Sequence, residues 1–284
     1  MSCEKKLYFA IGAIFKNEAH IMKEWLNHYF YHGVDHIYLI NDNSNDNFMD
    51  ILTPFLDKKL VTLYDGNDYT KSEPKTSWGE KFPEKFAGMQ WRKYDFFFEE
   101  HFKKYKWFGI FDLDEFLYSP KCINTQDILK RLENYKQISI SWVHFGSSGF
   151  EKQPENVVKN FIKRARYGAH HSVKSIIKTD YGNVKEISLR IHMHSIGLSA
   201  PMKAAFPPKF NVSHCKMGPL LFVNHYRIQS KEFWTKIKMT RGDADFHFDH
   251  INMKRDLALF KQYDINDIED TVLKKQNENI KDIC

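Results

Sequence analysis

The chain has 284 residues and sets 42 Lys plus Arg against 36 Asp plus Glu, a formal charge of +6 with His neutral. Hydrophobic residues make up 42% and charged residues 27%, which excludes a disordered chain, since disorder pairs low hydrophobicity with high net charge. The charge excess is weak evidence for any partner, and a nucleic-acid binder would normally show a basic stripe.

The elements follow in chain order. Leu7 to Phe15 is apolar and rich in β formers, a buried strand closed by Lys16-Asn17-Glu18. Glu18 to Tyr31 has helical spacing, with Ile21, Trp25, Leu26 and Tyr29 on one face, and Gly33 stops it. His36 to Ile40 is a second strand, ending in Asn41-Asp42-Asn43-Ser44-Asn45-Asp46. Phe48 to Leu56 reads as a helix and Leu60 to Tyr64 as a third strand. Such alternation predicts parallel strands with right-handed crossovers.

Asp65 to Phe86 is polar and holds Gly66, Pro74, Gly79 and Pro83, a long loop of the kind that is usually functional or mobile. Ala87 to Phe102 reads as a helix, Trp107 to Phe111 as a fourth strand, Asn124 to Tyr135 as a helix capped by Asn124 or Thr125, and Gln137 to Val143 as a fifth strand. Beyond residue 144 the alternation dissolves. Short β segments at Ser172–Lys178, Glu186–Met193 and Leu220–Val223 and helical stretches at Lys231–Met239 and Ile251–Tyr263 look like additions to the same sheet.

The densest basic run, Lys159, Lys163, Arg164 and Arg166, reads as a solvated face, with a phosphate-meeting loop as the alternative. Cys3, Cys122, Cys215 and Cys284 form no CxxC pair, which fits a reducing compartment or simply unpaired thiols. No stretch approaches the roughly 18 apolar residues of a membrane span, and no small-residue cleavage site follows the N-terminal apolar run. A soluble, cytoplasmic protein of a bacterium or of a virus in its host cytosol is the expectation. His170, His171, His192, His194, His214 and Cys215 cluster along the chain, but at no recognised metal spacing.

The strongest chemical signal is Asp112-Leu113-Asp114-Glu115 after the apolar run Trp107 to Phe111. In open α/β sheets ligands bind beyond the carboxyl ends of the strands. Two carboxylates there suit a hard cation, Mn²⁺ or Mg²⁺, shared with phosphate oxygens. A solvated, capped turn is the bland alternative. The ends of the first two strands, with Glu18 and Asp42, belong to the same rim, where such side chains meet a base or ribose. His225, in Asn224-His225-Tyr226, follows an apolar strand and is a candidate third metal ligand. No GxGxxG or GxxxxGK[ST] occurs, which argues against a dinucleotide fold and a P-loop enzyme.

These segments, taken in order, resemble a glycosyltransferase of GT-A fold, closest to glycosyltransferase family 92 and its family-2-like relatives. The matching residues are Lys16-Asn17-Glu18 with Glu24-Trp25-Leu26 and His28; Gly33-Val34; Asp42-Asn43-Ser44-x-Asp46; Trp107 through Phe116; Trp142-x-x-Phe145-Gly146-Ser147-Ser148-Gly149; and Asn224-His225-Tyr226 with Ser230, Phe233, Lys236 and Arg241-Gly242. They span residues 8–246. The resemblance implies a Rossmann-like mixed, mainly parallel sheet flanked by helices, with an elaborated C-terminal half. The catalytic domain is expected over residues 1–250, with 251–284 a helical extension on it.

The resemblance further implies an inverting, metal-dependent transfer from a UDP-sugar, UDP-galactose among the candidates, to a hydroxyl of a glycan or glycoconjugate. Asp112, Leu113 and Asp114 would meet the diphosphate, with Asp112, Asp114 and His225 on Mn²⁺ or Mg²⁺. Lys16, Glu18 and Asp42 would bind the donor, as would Gln90 and Arg92 ahead of the fourth strand. Asp243, Asp245 and Glu151 are candidate general bases. Trp142, Phe145, Gly146 and Ser147 would line the sugar and acceptor side, with Trp78 another stacking candidate. Two other readings of the residues stay open: a sugar-nucleotide binder without catalysis, and a metal-dependent phosphoesterase or nucleotidyltransferase. The sequence leaves the oligomeric state open and names no nucleic-acid partner.

Overall fold

A computed structural model describes residues 7–66, 93, 100–135, 137–166, 173–179, 203–204, 220–240 and 255–284. Eleven strands are described: β1 Leu7–Phe15, β2 His36–Asn41, β3 Val61–Asp65, β4 Tyr105–Ile110, β5 Glu115–Tyr118, β6 Gln137–His144, β7 Lys163–Arg164, β8 Val173–Lys178, β9 Lys203–Ala204, β10 Phe222–His225 and β11 Ile268–Glu269. The helices used below are α1 Ala19–Tyr31, α2 Phe48–Asp57, α3 Thr125–Arg131 and α4 Val157–Asn160.

One mixed sheet runs in the order β3-β2-β1-β4-β8-β6-β10-β5, with β9 on β6. Strands β3, β2, β1 and β4 pair in parallel, as the strand–helix alternation predicts. The late strands do join this sheet: β8 inserts antiparallel between β4 and β6, and β10 pairs in parallel with β6. The mixed α/β architecture implied by the resemblance is therefore the one found. A second, two-stranded sheet pairs β7 with β11 and ties the segment from residue 255 onward to the rest.

The central strand shows why the sheet forms. Along β1, Phe9, Ile11, Ala13 and Phe15 pack into one cluster with α1, while Ala10 and Ile14 face another with Tyr38, Ile40, Phe108 and Ile110. A strand covered on both faces needs an unbroken apolar run, and its period of two divides that run between the clusters.

Some boundaries differ from expectation. The chain does not simply end a strand at Phe111; it turns through Asp112 to Asp114 and restarts as β5, antiparallel to β10. The helix from Asn124 stops at Arg131, with the Asn124 side chain accepting from the Gln126 amide. Lys231–Phe233 is one helical turn that passes into a π-helical turn, Trp234–Lys238, and the later helix spans only Leu257–Tyr263. Gln90, Arg92, Asp243, Asp245, Trp78, His170, His171, His192, His194, His214 and Cys215 lie outside the described residues, as does the strand expected at Glu186–Met193. Among the described residues, no helix is long and apolar enough to cross a membrane.

Candidate active site

Because β1, β2, β4, β6 and β10 run the same way, their carboxyl ends share one rim. That rim carries Lys16 to Glu18, Asp42, Asp112 to Asp114, His144 and His225. The antiparallel strands bring their first residues to the same place. β5 starts with Glu115, paired in register with His225, and β8 delivers Lys174.

The turns after β1 and β2 interlock. Asn17 and Asn43 adopt positive φ of 53° and 55°, a conformation that Asn tolerates better than most residues. The Asn17 amide donates to Ser44 Oγ at 3.0 Å, and the Asn45 amide donates to Asn17 Oδ1 at 2.8 Å. Asp46 Oδ2 accepts from the Ala19 amide at 2.8 Å, at the start of α1. Glu18 and Asp42 are both buried beside these turns. Lys93 Nζ donates to Asp42 Oδ1 at 2.7 Å, and burial pulls the Lys93 ammonium down in pKa while Asp42 opposes that pull.

The acidic turn is clamped from α1. The Asp112 amide donates to Glu115 Oε2 at 3.0 Å, and the Glu115 amide donates back to the Asp112 carbonyl at 2.9 Å. Trp25 Nε1 donates to the carbonyls of both Asp112 and Glu115 at 3.0 Å, and Tyr29 Oη donates to the Glu115 carbonyl at 3.0 Å. His28 Nε2 stands 2.8 Å from the Leu117 carbonyl. Glu24 accepts from the amides of Val157 and Val158 at the start of α4. The motif around Trp25 is thus the scaffold that holds the carboxylates. Leu113 points into the core at 0% exposure.

Two buried lysines partner the carboxylates, and the sequence reading singled out neither. Lys174 Nζ lies 3.1 Å from both Asp112 Oδ2 and Glu115 Oε2. Burial would discharge this amine, but Asp112 and then Glu115 hold it above its ordinary value. Burial also pushes the Glu115 carboxyl well up, opposed by Lys174. Lys238 Nζ lies 2.7 Å from Asp114 Oδ2 and 3.8 Å from Glu18 Oε1. Burial alone would raise Asp114, but Lys238 and then His225 hold it well below the usual carboxylate range. A lysine in the otherwise buried strand Val173–Lys178 was the one sequence signal for Lys174. Lys238 gave none, because a π-helical turn shifts which side chains share a face.

His225 Nε2 stands 3.4 Å from Asp114 Oδ1, and burial lowers the imidazole pKa against the pull of that carboxylate. A neutral imidazole beside a carboxylate is a competent donor pair for a divalent cation. Among the described residues no group of three or more His, Cys, Asp or Glu side chains is gathered to hold a metal alone. Of the three expected ligands, Asp114 and His225 stand together, while the Asp112 carboxylate is ion-paired with Lys174.

The remaining predicted residues are placed as follows. Trp142 is half-buried with its ring 4.4 Å from that of His225, and Lys174 lies 5.8 Å from its centre. Phe145 is buried against Tyr226, with ring centres 4.6 Å apart. Gly146 is pressed against Asn266 and Ile265, and the Ser147 amide donates to Asp264 Oδ1 at 2.7 Å. Glu151 is an exposed side chain ion-paired with Lys231 at 3.1 Å. Lys16 is partly exposed at the end of β1.

With this geometry in view, the profile of glycosyltransferase family 92 matches residues 5–276. The chain belongs to glycosyltransferase family 92. A family 92 protein of Ricinus communis is 24% identical over 254 residues, covering 88% of this chain and 40% of that protein. One from Oryza sativa subsp. japonica is 23% identical over 226 residues, covering 77% and 33%. The chain thus spans well under half the length of these curated relatives. Among solved structures, S. aureus TarS is similar over 61% of this chain and 28% of its own, at 13% identity and a TM-score of 0.35. A TarS fragment, residues 1–349, in complex with UDP-GlcNAc matches at 14% identity and a TM-score of 0.33, covering 61% and 46%.

Proposed function

We propose that this member of family 92 transfers a sugar from a UDP-sugar to a hydroxyl of a glycan or glycoconjugate, with inversion at the anomeric carbon. The observation that carries the reading is the clamped Asp112–Asp114 turn, set at the carboxyl rim of a parallel sheet and backed by His225 and two buried lysines. Such a turn is built to present carboxylate oxygens at a fixed place.

In this reading Asp112, Asp114 and His225 would hold Mn²⁺ or Mg²⁺. That ion, when bound, offsets the charge growing on the leaving diphosphate as a Lewis acid. Glu18 and Asp42 face the nucleoside end of the donor, at the ends of β1 and β2, and Lys93 fixes the Asp42 carboxylate. Lys16, Gln90 and Arg92 are assigned to the donor's anionic side. Trp142 offers its half-buried ring to a sugar face, beside the backbone of Phe145, Gly146 and Ser147. A carboxylate takes the acceptor proton as the oxygen attacks; Asp243, Asp245 and Glu151 are the groups assigned to that role.

A thermal-shift panel of nucleotide sugars and nucleoside diphosphates, with and without Mn²⁺, tests this reading. A bound ligand stabilises by RT ln(1 + [L]/Kd), about 2.7 kcal/mol at a hundredfold excess over Kd. The expected result is a rise in Tm with UDP and one UDP-sugar, larger with Mn²⁺. A panel in which no nucleoside diphosphate moves Tm overturns the reading. Retained UDP binding without turnover would instead favour a non-catalytic binder.

A further inference from the structure

Among the described residues, every buried lysine or arginine has an anion. Lys93 meets Asp42 at 2.7 Å, Arg164 meets Asp270 at 2.7 Å, Lys174 meets Asp112 and Glu115 at 3.1 Å, and Lys238 meets Asp114 at 2.7 Å. A charge taken out of water is costly unless it is paired and hydrogen-bonded, which accounts for the pattern. Arg227 departs from it. Its side chain is half-buried, yet among the described residues its guanidinium makes no hydrogen bond and no ion pair. It lies over the Tyr263 ring, with the guanidinium carbon 4.3 Å from the ring centre. That attraction holds the cation in place and uses none of its five N–H donors.

Arg227 is fixed at the ligand rim from both sides. The Tyr226 amide donates to the Asp114 carbonyl at 2.8 Å, and the His225 carbonyl accepts from the Phe145 amide at 3.0 Å. The residues just before Arg227 are thereby tied to the acidic turn and to the loop after β6. Ile228, just after it, is buried with Trp234 and Phe260, and Tyr263 packs on that same cluster. Trp234 Nε1 donates to the carbonyl of Asp256, the N-cap of the helix Leu257–Tyr263 that carries the ring. Cation and platform therefore share one support. Past the ring, Asp264 and Asn266 accept from the Ser147 and Ser148 amides. The charge of Arg227 is felt at the rim: burial lowers the His225 imidazole first, Asp114 opposes that, and Arg227 adds to the lowering.

A guanidinium kept for the fold alone spends its donors, as Arg164 does on Asp270 and the Ala165 carbonyl. The rim carboxylates are already met by lysines, Asp112 by Lys174 and Asp114 by Lys238. An anion arriving there meets partly neutralised carboxylates and a guanidinium with its donors unspent.

Resting on the reading of the rim as a nucleotide-diphosphate site, we propose that Arg227 binds the diphosphate of the donor, its planar N–H fork on phosphate oxygens and its face on Tyr263. Guanidinium and phosphate match in charge and in bidentate geometry. When the bond from the anomeric carbon to the phosphate oxygen breaks, that oxygen keeps the electron pair. Arg227 faces the charge that grows there, while the acceptor oxygen bonds to the anomeric carbon and gives its proton to the base.

Calorimetry on the full chain, in buffer with Mn²⁺, tests this by measuring UDP and uridine affinities for wild type, Arg227→Met and Arg227→Lys. Arg227→Met should bind UDP about tenfold more weakly, the low end for a hydrogen bond to a charged group, and bind uridine, which has no phosphate, as wild type does. Arg227→Lys keeps the charge without the fork and should fall between the two toward UDP. Unchanged UDP affinity in Arg227→Met overturns the inference, and so does an equal loss for UDP and uridine. Loss of sugar transfer with UDP affinity intact would put the cation on the acceptor side and overturns it as well. If Arg227→Met does not fold, Arg227→Lys equal to wild type toward UDP overturns it. Wild-type protein that binds no UDP removes the nucleotide reading itself, and the inference with it.

Discussion

At the scale of single residues, the site depends on side chains that never touch a ligand. Trp25 holds the acidic turn through one N–H shared between the Asp112 and Glu115 carbonyls. Trp25→Phe keeps an aromatic ring there but leaves both carbonyls short of a donor, at a cost of about 1–3 kcal/mol. Urea unfolding should show that loss, and calorimetry should show weaker UDP binding in Mn²⁺; a variant equal to wild type in both would mean the clamp does not position the carboxylates. The sequence marked Trp25 as part of an apolar helical face and of the Glu24-Trp25-Leu26 segment, but not as a clamp on the acidic turn. The carboxylates themselves were legible, because an apolar strand ending in Asp-x-Asp is a local pattern. Their counter-ions were not, because Lys174 lies 62 residues and Lys238 lies 124 residues along the chain from their partners.

At the scale of elements, the parallel half of the sheet was readable from alternation, and β1 coincides with the expected Leu7–Phe15. The antiparallel strands were not placeable, since nothing local tells β8 to enter between β4 and β6. Yet it is direction reversal that brings Glu115 and Lys174, both near strand starts, to a rim otherwise made of strand ends. The loop after β6 depends on a different long-range contact. A Cβ added at Gly146 would stand 2.4 Å from Asn266 Oδ1 and 2.6 Å from the Ile265 carbonyl. A backbone carbonyl cannot step aside without disturbing the adjacent β7–β11 pairing. Gly146→Ala should therefore lower stability by about 1–3 kcal/mol in urea unfolding, the range of overpacking. An unchanged midpoint would show that the 264–266 segment yields.

At the scale of the whole molecule, buried histidines tie stability to pH. Burial lowers His28 well below its ordinary value and brings His32 and His101 to about 4. The unfolded chain takes up protons at these groups below pH 6.5, while the folded chain resists them. Their contribution is thus fully present above pH 6.5 and is lost as pH falls toward 4; for His32 alone it is on the order of 3 kcal/mol. Glu24 and Glu115 act the other way: burial raises Glu24 to about 7 and Glu115 well up, so each costs the folded form stability as pH rises from 4.5. His36 and His225 are lowered by burial as well, so the histidines outnumber the two glutamates, and the urea midpoint should be lower at pH 5 than at pH 7. Equal midpoints would contradict neutral burial of His28, His32 and His101. The proposed transfer requires a donor site at the carboxyl rim. The most direct test measures UDP release from a panel of UDP-sugars in Mn²⁺, for wild type and Asp114→Asn. Wild type should release UDP from at least one sugar and Asp114→Asn should lose at least a hundredfold of that rate. Release that is absent in wild type, or undiminished in Asp114→Asn, would contradict it.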